Sequence, residues 1–204
     1  MKKYILLSLL FTCLLSHSQM DSIARFSIAA GAHYPIAVGN NFLSKAFKPK
    51  SGFSGTLQYN LNRFFIGFNF HGTRYSISDK SLFGNFEEAE SIRANGFVGI
   101  RHKLMSKKIY LEHGIGAGKQ TFTNYGTITT YGNSGINAIA FSKFNYKILD
   151  FFHLYAATEF EYTKFNTIIE GPYKNFYTNT YQITPTLGVK FNIGAPKKLK
   201  WIQF

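Results

Sequence analysis

Residues 53–75 constrain the fold more than any other stretch of this chain. Apolar and polar side chains alternate on both sides of a short polar turn at residues 60–63. A period of two on either side of a tight turn indicates two antiparallel β-strands joined as a hairpin. One face is lined by Phe, Leu, Ile and Tyr, and the other carries mainly small and polar residues. This division is typical of strands that face lipid on one side and a polar lumen on the other.

The same alternation continues in six further segments: residues 23–34, 90–101, 109–122, 135–146, 151–162 and 180–193. The connections are long at residues 35–51, 76–88, 123–134 and 163–179, and short elsewhere. Because strands in lipid must satisfy every backbone polar group, they close into a barrel. We therefore predict an all-β fold, an eight-stranded antiparallel up-and-down transmembrane β-barrel. Short turns and both termini would lie in the periplasm, and long loops would lie outside the cell.

Three strands contain residues that fit this pattern less well. Ile139 and Phe141 oppose the expected alternation of the sixth strand. His113 falls on the lipid side of the fifth strand. Pro185 lies inside the last strand, where it should remove one ladder hydrogen bond and produce a bulge or a local edge.

The N-terminal residues have the pattern of a secretory signal peptide. Two lysines precede an apolar run that ends near Leu15 and is followed by small residues. The run is shorter than the roughly 20 residues of a spanning helix, which favours a cleaved signal peptide. The small residues Ser16 and Ser18 predict cleavage after residue 18. A lipoprotein signal at Cys13 is the alternative, although Leu14 and Leu15 continue the apolar run beyond it. The chain then divides into a signal peptide (1–18), a barrel (19–193) and a basic, aromatic periplasmic tail (194–204).

Ten charged residues are predicted to line the lumen. They are Arg25, Arg74, Glu90, Arg93, Arg101, Glu112, Lys143, Glu159, Glu161 and Lys190. The interior of an eight-stranded barrel is just wide enough for side chains to fill, and buried ions need partners. We therefore expect paired charges to plug the lumen. The alternative is a narrow gated pore whose more basic periplasmic end would favour anions.

The predicted partners follow from the charge of the chain, which is +13. A secreted chain rarely meets nucleic acid, so we expect no nucleic-acid partner and favour outer-membrane lipid, including lipopolysaccharide. Five residues of the tail are predicted to anchor it at the membrane interface: Lys197, Lys198, Lys200, Trp201 and Phe204. A solvated, frayed terminus is the alternative. A periplasmic or extracellular protein partner is also considered.

No pattern in the sequence calls for a cofactor or a catalytic site. The stripe Gly114, Gly116 and Gly118 lies inside a strand and lacks the third glycine of a dinucleotide-binding loop. We expect it to make room for bulky inward side chains such as Phe65, Phe97 or Tyr155. His33, His71 and His153 have no cysteine or acidic pair at ligand spacing, which argues against a metal site. His71 with Ser76 or Ser78 and Glu90 could imitate the Ser/His/acid set of lipid-modifying barrels.

With its signal peptide, eight alternating segments and last strand YQITPTLGVKFNIG, the chain resembles the small porin-like, PorT-type outer-membrane β-barrels common in Bacteroidetes. The resemblance covers the whole mature chain and implies an outer-membrane location. We expect a structural or interaction role, carried by the loops around residues 123–134 and 173–177. The alternatives are a narrow pore or accessory subunit of a secretion or transport assembly, and a soluble lipocalin-like carrier with its apolar faces turned inward.

Overall fold

Nine strand segments and three short helices make up the part of the chain that the structure describes. The computed structural model describes residues 24–84, 86–104, 108–126, 130–167 and 171–194. The strands are β1 (Phe26–His33), β2 (Ile36–Val38), β3 (Phe47–Leu61), β4 (Phe64–Ile77), β5 (Phe86–Lys103), β6 (Ile109–Gly126), β7 (Thr130–Lys147), β8 (Phe152–Phe165) and β9 (Asn179–Ile193). The helices are α1 (Phe42–Ala46), α2 (Lys80–Phe83) and α3 (Lys174–Thr178). Within these ranges, no helix has the length and apolar character needed to span a membrane.

The strands form one closed antiparallel sheet. From β3 to β9 each strand pairs with the next, and β1 closes the barrel by pairing with both β3 and β9. β2 pairs with β9 in the register that continues from β1, because His33 lies opposite Thr186 and Ile36 lies opposite Ile183. β1 and β2 therefore act as one barrel strand, and the predicted eight-stranded antiparallel barrel is confirmed.

The break between β1 and β2 lies opposite Pro185 of β9. The backbone N–H of Tyr34 donates a hydrogen bond to the Pro185 carbonyl oxygen at 3.1 Å. Pro185 has no N–H with which to return the bond. Beyond this point β2 pairs with β9, while the first residues of β3 pair with β4. The expected loss of one ladder hydrogen bond at Pro185 is therefore confirmed. The expected bulge or local edge is not found, because β9 keeps one register with β8 and with β1 and β2.

Side chains alternate between the outside and the inside of the barrel along the strands. Outward positions carry exposed apolar side chains, among them Phe26, Ile28, Phe53, Leu57, Phe68, Ile115, Ile136, Phe160 and Leu187. Inward positions carry buried polar ones, among them Ser27, Gln58, Asn69, Asn95, Asn137 and Thr184. A soluble carrier of the lipocalin type would show the opposite arrangement, so that alternative is wrong.

The predicted long connections contain more regular structure than expected. The expectation of a loop at residues 123–134 is wrong, because β6 and β7 continue to pair there, with Tyr125 opposite Thr130. Its Thr and Tyr residues favour extended backbone, which prolongs a hairpin already in register. Residues 35–51 contain β2, α1 and the start of β3, and the other two long connections contain α2 and α3.

An apolar core fills the barrel mouth, the end where the three helices lie. α1 buries three residues, Phe42, Leu43 and Ala46, which pack with Phe47, Tyr75, Ala89, Phe122 and Phe165. The helix starts with a capping box, in which Asn41 Oδ1 accepts from the Ser44 N–H at 3.0 Å and Ser44 Oγ accepts from the Asn41 N–H at 3.3 Å. These bonds satisfy backbone donors that a helix start leaves unpaired. A five-residue helix is thereby fixed inside the mouth.

Candidate functional site

The half of the lumen nearer the short turns contains a cluster around Glu112, a fully buried carboxylate on β6. Lys190 Nζ of β9 lies 2.7 Å and 3.0 Å from the two carboxylate oxygens of Glu112. Arg101 of β5 lies opposite Glu112 in the ladder, and its Nε donates to Glu112 Oε1 at 2.9 Å. Gln58 Nε2 donates to the same oxygen at 3.0 Å. Arg101, Glu112 and Lys190 are named the lower cluster.

Nearer the mouth, Arg93 of β5 binds two carboxylates of β8. Its guanidinium group donates to Glu159 and to Glu161. Asn69 Nδ2 donates to Glu159 Oε2 at 3.3 Å, and Asn137 Nδ2 donates to Glu161 Oε1 at 2.9 Å. Arg93, Glu159 and Glu161 are named the upper cluster. In both clusters each buried charge has an opposite charge as its neighbour, which offsets the cost of removing it from water.

An aromatic layer lies between the two clusters. The ring centroid of Phe97 lies 6.0 Å from that of Phe65 and 5.4 Å from that of Phe141. Lys143 Nζ lies 4.8 Å from the centre of the Tyr155 ring, a cation–π contact. Ile139 is also buried here. The apolar residues that opposed the polar alternation of β7 therefore belong to an apolar layer inside the lumen.

Glycines on neighbouring strands make room for this layer. A Cβ atom on Gly99 would lie 2.3 Å from Phe65 Cζ, and one on Gly188 would lie 2.7 Å from Tyr155 Cε1. A Cβ atom on Gly116 would lie 2.9 Å from Phe97 Cβ. The expectation for the glycine stripe of β6 is confirmed for Gly116, and Gly114 likewise lies against a ring, 2.5 Å from Phe141 Cζ to its added Cβ. It is wrong for Gly118, whose added Cβ would meet Ala94 and Asn95.

The described side chains leave little free space beside the two clusters. One cavity, beside His33, Arg93 and Gln182, has a volume of about 10 Å³. A second, beside Lys143 and Glu159, has a volume of about 30 Å³. Since one water molecule needs roughly 10–15 Å³ of such volume, each cavity holds one or two waters at most.

Seven of the ten charges predicted for the lumen lie inside it, and three do not. Arg93, Arg101, Glu112, Lys143, Glu159, Glu161 and Lys190 are buried. Arg74 and Glu90 share the outward face of β4 and β5 with lipid-facing Phe70 and Ile92, so their assignment to the lumen was wrong. They form an exposed ion pair, with Arg74 Nε 3.0 Å from Glu90 Oε1. The assignment of Arg25 to the lumen is also wrong, because Arg25 precedes β1 and is exposed to solvent.

The tail residues Lys197, Lys198, Lys200, Trp201 and Phe204 lie outside the described residues, as does the predicted signal peptide.

Two of the three inward histidines, His33 and His153, form hydrogen bonds with other side chains of the lumen. His33 Nε2 lies 2.8 Å from Thr73 Oγ1, and Tyr110 OH lies 2.6 Å from His153 Nδ1. Among the described residues, no group of three His, Cys, Asp or Glu could hold a metal ion. His71 is buried inside the lumen, whereas Glu90 lies on the outer surface. The barrel wall therefore separates the two residues of the Ser/His/acid combination.

The mouth of the barrel contains a cavity that was not predicted from the sequence. It has a volume of about 360 Å³ and is lined by residues of the three helices and of β5, β6 and β7, among them Phe42, Leu82, Phe122, Asn124 and Tyr177. The segment that begins at Asn41 carried a signal for it. A capping residue followed by apolar residues at positions 42, 43 and 46 indicates a short helix with one buried face.

The outward apolar surface and the filled lumen define a class of protein, the closed transmembrane β-barrel whose interior is packed with paired charges and aromatic rings. No protein-family model matches the chain, and no curated protein matches it in sequence.

Solved structures match the chain in fold. The chain is similar to Neisserial surface protein A (NspA), with a TM-score of 0.60 and 16% identity over 85% of this chain and 100% of that one. It is similar to OprG of Pseudomonas aeruginosa, with a TM-score of 0.54 and 11% identity over 88% of this chain and 100% of that one. It is also similar to Ail, the attachment invasion locus protein of Yersinia pestis, with a TM-score of 0.53 and 15% identity over 83% of this chain and 98% of that one. At these identities the similarity establishes the fold, that of the small outer-membrane β-barrels.

Proposed function

We propose that this chain is an outer-membrane β-barrel protein that acts through its extracellular face, with a lumen closed to solutes. The filled lumen is the observation that carries this proposal. Between the described side chains of the upper cluster, the lower cluster and the aromatic layer lie cavities of about 10 and 30 Å³, which are too small to pass solutes. The apolar core at the mouth adds a second closure above them.

The outer surface supports a position in a bilayer. Its apolar side chains form a belt around the barrel. Tyr162 and Tyr181 lie on this surface in register with each other, with ring centroids 5.2 Å apart. Tyrosines are enriched at membrane–water interfaces, and the charged residues Lys164, Arg74 and Glu90 lie further toward the mouth. The short turns at the opposite end would face the periplasm, as in other outer-membrane barrels.

Conductance across a planar bilayer tests the closed lumen. The protein is folded in detergent, its folding is checked by the difference in migration between unboiled and boiled samples on a gel, and it is then inserted into the bilayer. We expect no stable open level for the wild type. A reproducible open level whose size changes in Glu112→Gln or Lys190→Gln would overturn the closed lumen and favour a narrow pore.

Exposed tyrosines at the mouth support an interaction role. Tyr125 and Tyr131 lie at the end of the β6–β7 hairpin, and Tyr173 precedes α3 with 68% of its surface exposed. Amphipathic aromatic side chains are enriched in protein interfaces. The test is the attachment of cells that display the protein to surfaces coated with extracellular proteins. Tyr125→Ser/Tyr131→Ser/Tyr173→Ser should reduce attachment, whereas the lipid-facing Tyr181→Ser should not. Equal attachment by all three proteins would contradict the proposal.

Two lysines on the outer surface support contact with lipid phosphate. Lys119 and Lys164 both lie opposite Ile136, one on each side of β7. Two cations on the strands that flank β7, at the mouth end of the apolar belt, suit the phosphates of lipopolysaccharide. Lys119→Gln/Lys164→Gln should retain less lipopolysaccharide on purification than the wild type or Lys147→Gln at the opposite end. Unchanged retention would remove this partner.

Membership of the PorT-type family rests on the strand pattern of the sequence alone. If it applies, the protein would serve as an accessory subunit of a secretion assembly and would co-purify with other envelope proteins from its native cells. Purification as an isolated barrel under mild detergent would count against that role and leave the interaction role in place.

A further inference from the structure

Two histidines interrupt the apolar belt on the outer surface, toward the end with the short turns. His102 of β5 pairs with Leu111, and His113 of β6 pairs with Ile100, so the two lie on the same face of the sheet, two residues apart in the ladder. Their ring centroids are 5.8 Å apart. Ile115, on the same face of β6 as His113, is 64% exposed. Polar side chains that face hydrocarbon are costly unless they have a partner.

Arg63 adds a permanent positive charge to this pair. It lies in the turn between β3 and β4, and its carbonyl oxygen accepts from the N–H of Arg101, the residue before His102, at 2.7 Å. The charges of Arg63 and His113 both act on His102. Arg63, His102 and His113 are named the basic surface cluster. Their side chains have no carboxylate partner and no hydrogen bond within the part of the chain that the structure describes. A group of basic side chains without a counter-charge attracts an anion.

The surroundings of the basic surface cluster suit an amphiphilic anion. Toward the mouth, the same outer surface carries the exposed apolar side chains of Phe64, Val98 and Ile115. Toward the turns, the described charged residues Lys103 and Lys108 are basic as well. A phospholipid meets both conditions, because its acyl chains can lie along the apolar side chains while its phosphate lies at the turns.

We propose that the basic surface cluster binds one phospholipid, with the phosphate at Arg63 and His102 and an ester carbonyl at His113. His113 lies two residues, about 7 Å, further from the turns than His102, and the ester carbonyls of a phospholipid lie deeper in a bilayer than its phosphate. Guanidinium and imidazole N–H groups both donate hydrogen bonds, the imidazole in either protonation state. The site rests on the proposed position of the barrel in a bilayer, but not on whether the lumen conducts.

Three lipids with the same chains test the proposal. They are phosphatidylglycerol, diacylglycerol, which lacks the phosphate, and diether phosphatidylglycerol, which lacks the ester carbonyls. Binding to the folded protein in maltoside micelles is measured by native mass spectrometry. The wild type should bind phosphatidylglycerol at least about tenfold more tightly than diacylglycerol, as expected for charge-assisted hydrogen bonds. It should bind the diether lipid about fivefold less tightly than phosphatidylglycerol, as expected for the loss of one neutral hydrogen bond.

Variants locate the two parts of the site. Arg63→Gln/His102→Leu should bind phosphatidylglycerol and diacylglycerol equally, and His113→Leu should no longer distinguish the diether lipid from phosphatidylglycerol. Lys147→Gln is the control, because Lys147 is a cation at the same end of the barrel that pairs with Asp150, and it should keep both preferences.

Two kinds of failure can be told apart. A wild type that migrates as a folded barrel on an unboiled gel but binds phosphatidylglycerol and diacylglycerol equally would overturn the site and leave the position in a bilayer in place. An undiminished preference in Arg63→Gln/His102→Leu would also overturn the site, because the phosphate would then lie elsewhere. Equal binding of the ester and diether lipids by the wild type would overturn the role of His113. A wild type that does not fold in micelles would overturn the bilayer position and the site together.

Discussion

Lys190 and Glu112 form an ion pair inside the lumen, with Lys190 Nζ 2.7 Å and 3.0 Å from the two carboxylate oxygens. Their exposed fractions are 1% and 0%. The pair joins β9, the last strand, to β6 in the middle of the chain, across the interior of the barrel. Arg101 binds the same carboxylate, so a single anion holds two buried cations.

Removal of that anion should destabilise the barrel. Glu112→Gln leaves Lys190 and Arg101 buried without their carboxylate, which should lower the free energy of unfolding by about 3–5 kcal/mol. The measurement is unfolding in urea of the protein folded into lipid vesicles. Glu112→Gln/Lys190→Met should be more stable than Glu112→Gln alone, because it also removes an unpaired cation.

The exposed pair Arg74–Glu90 provides the control for this prediction. Its Arg74 side chain is 71% exposed, and surface ion pairs contribute about 1 kcal/mol or less. Glu90→Gln should therefore change the free energy of unfolding by no more than that. Equal losses in Glu90→Gln and Glu112→Gln would contradict the buried lower cluster.

A methyl group at Gly99 should strain the lumen. A Cβ atom there would lie 2.3 Å from Phe65 Cζ and 2.4 Å from the His113 carbonyl oxygen. Gly99→Ala should therefore cost about 1–3 kcal/mol of stability, the usual range for overpacking. Gly55→Ala is the matched control, because nothing lies within 4 Å of its added Cβ. The urea concentrations at the unfolding midpoints of the two variants compare their stabilities. A larger loss of stability in Gly55→Ala than in Gly99→Ala would contradict the described packing around Phe65.

Shortening the Leu43 side chain of α1 should open a void in the apolar core at the mouth. Leu43 is 1% exposed within the apolar core, so Leu43→Ala should lower the free energy of unfolding by about 2–5 kcal/mol. Leu57 faces the lipid, where acyl chains can occupy the vacated space, so Leu57→Ala should cost less. The same urea unfolding experiment compares the two. If Leu57→Ala proves the more harmful, α1 does not contribute to the core as described.

The orientation of the barrel can be tested with single cysteines. Cys13 lies in the predicted signal peptide, so the mature chain is expected to have no cysteine of its own. Tyr131→Cys at the mouth should react with a membrane-impermeant maleimide on intact cells. Leu149→Cys, in the turn between β7 and β8, should react only after the outer membrane is permeabilised. Labelling of Leu149→Cys alone on intact cells would show the reverse orientation.

The sequence alone was sufficient to predict the number of barrel strands and which faces of their central residues point to lipid, although β6 and β7 extend further than expected. Successive side chains of a strand point to opposite sides of a sheet, so the alternation around Phe68 and Asn69 reports which residues face lipid. The same parity places Arg74 and Glu90 on the outer surface, so the prediction that they line the lumen is wrong. Closure into a barrel followed from the need to pair every strand edge.

Only the tertiary structure decided which inward residues meet. Arg93 binds Glu159 and Glu161, more than sixty residues away along the chain, because the curvature of the barrel brings β5 and β8 face to face across the lumen. The structure of the mouth also depends on tertiary contacts, since α1 is too short to be stable without the aromatic rings that surround it. Period and turn positions are local properties of the chain, whereas contacts across the lumen depend on the register of every intervening strand. For that reason the sequence determined the wall of the barrel, and the closed fold determined what fills it.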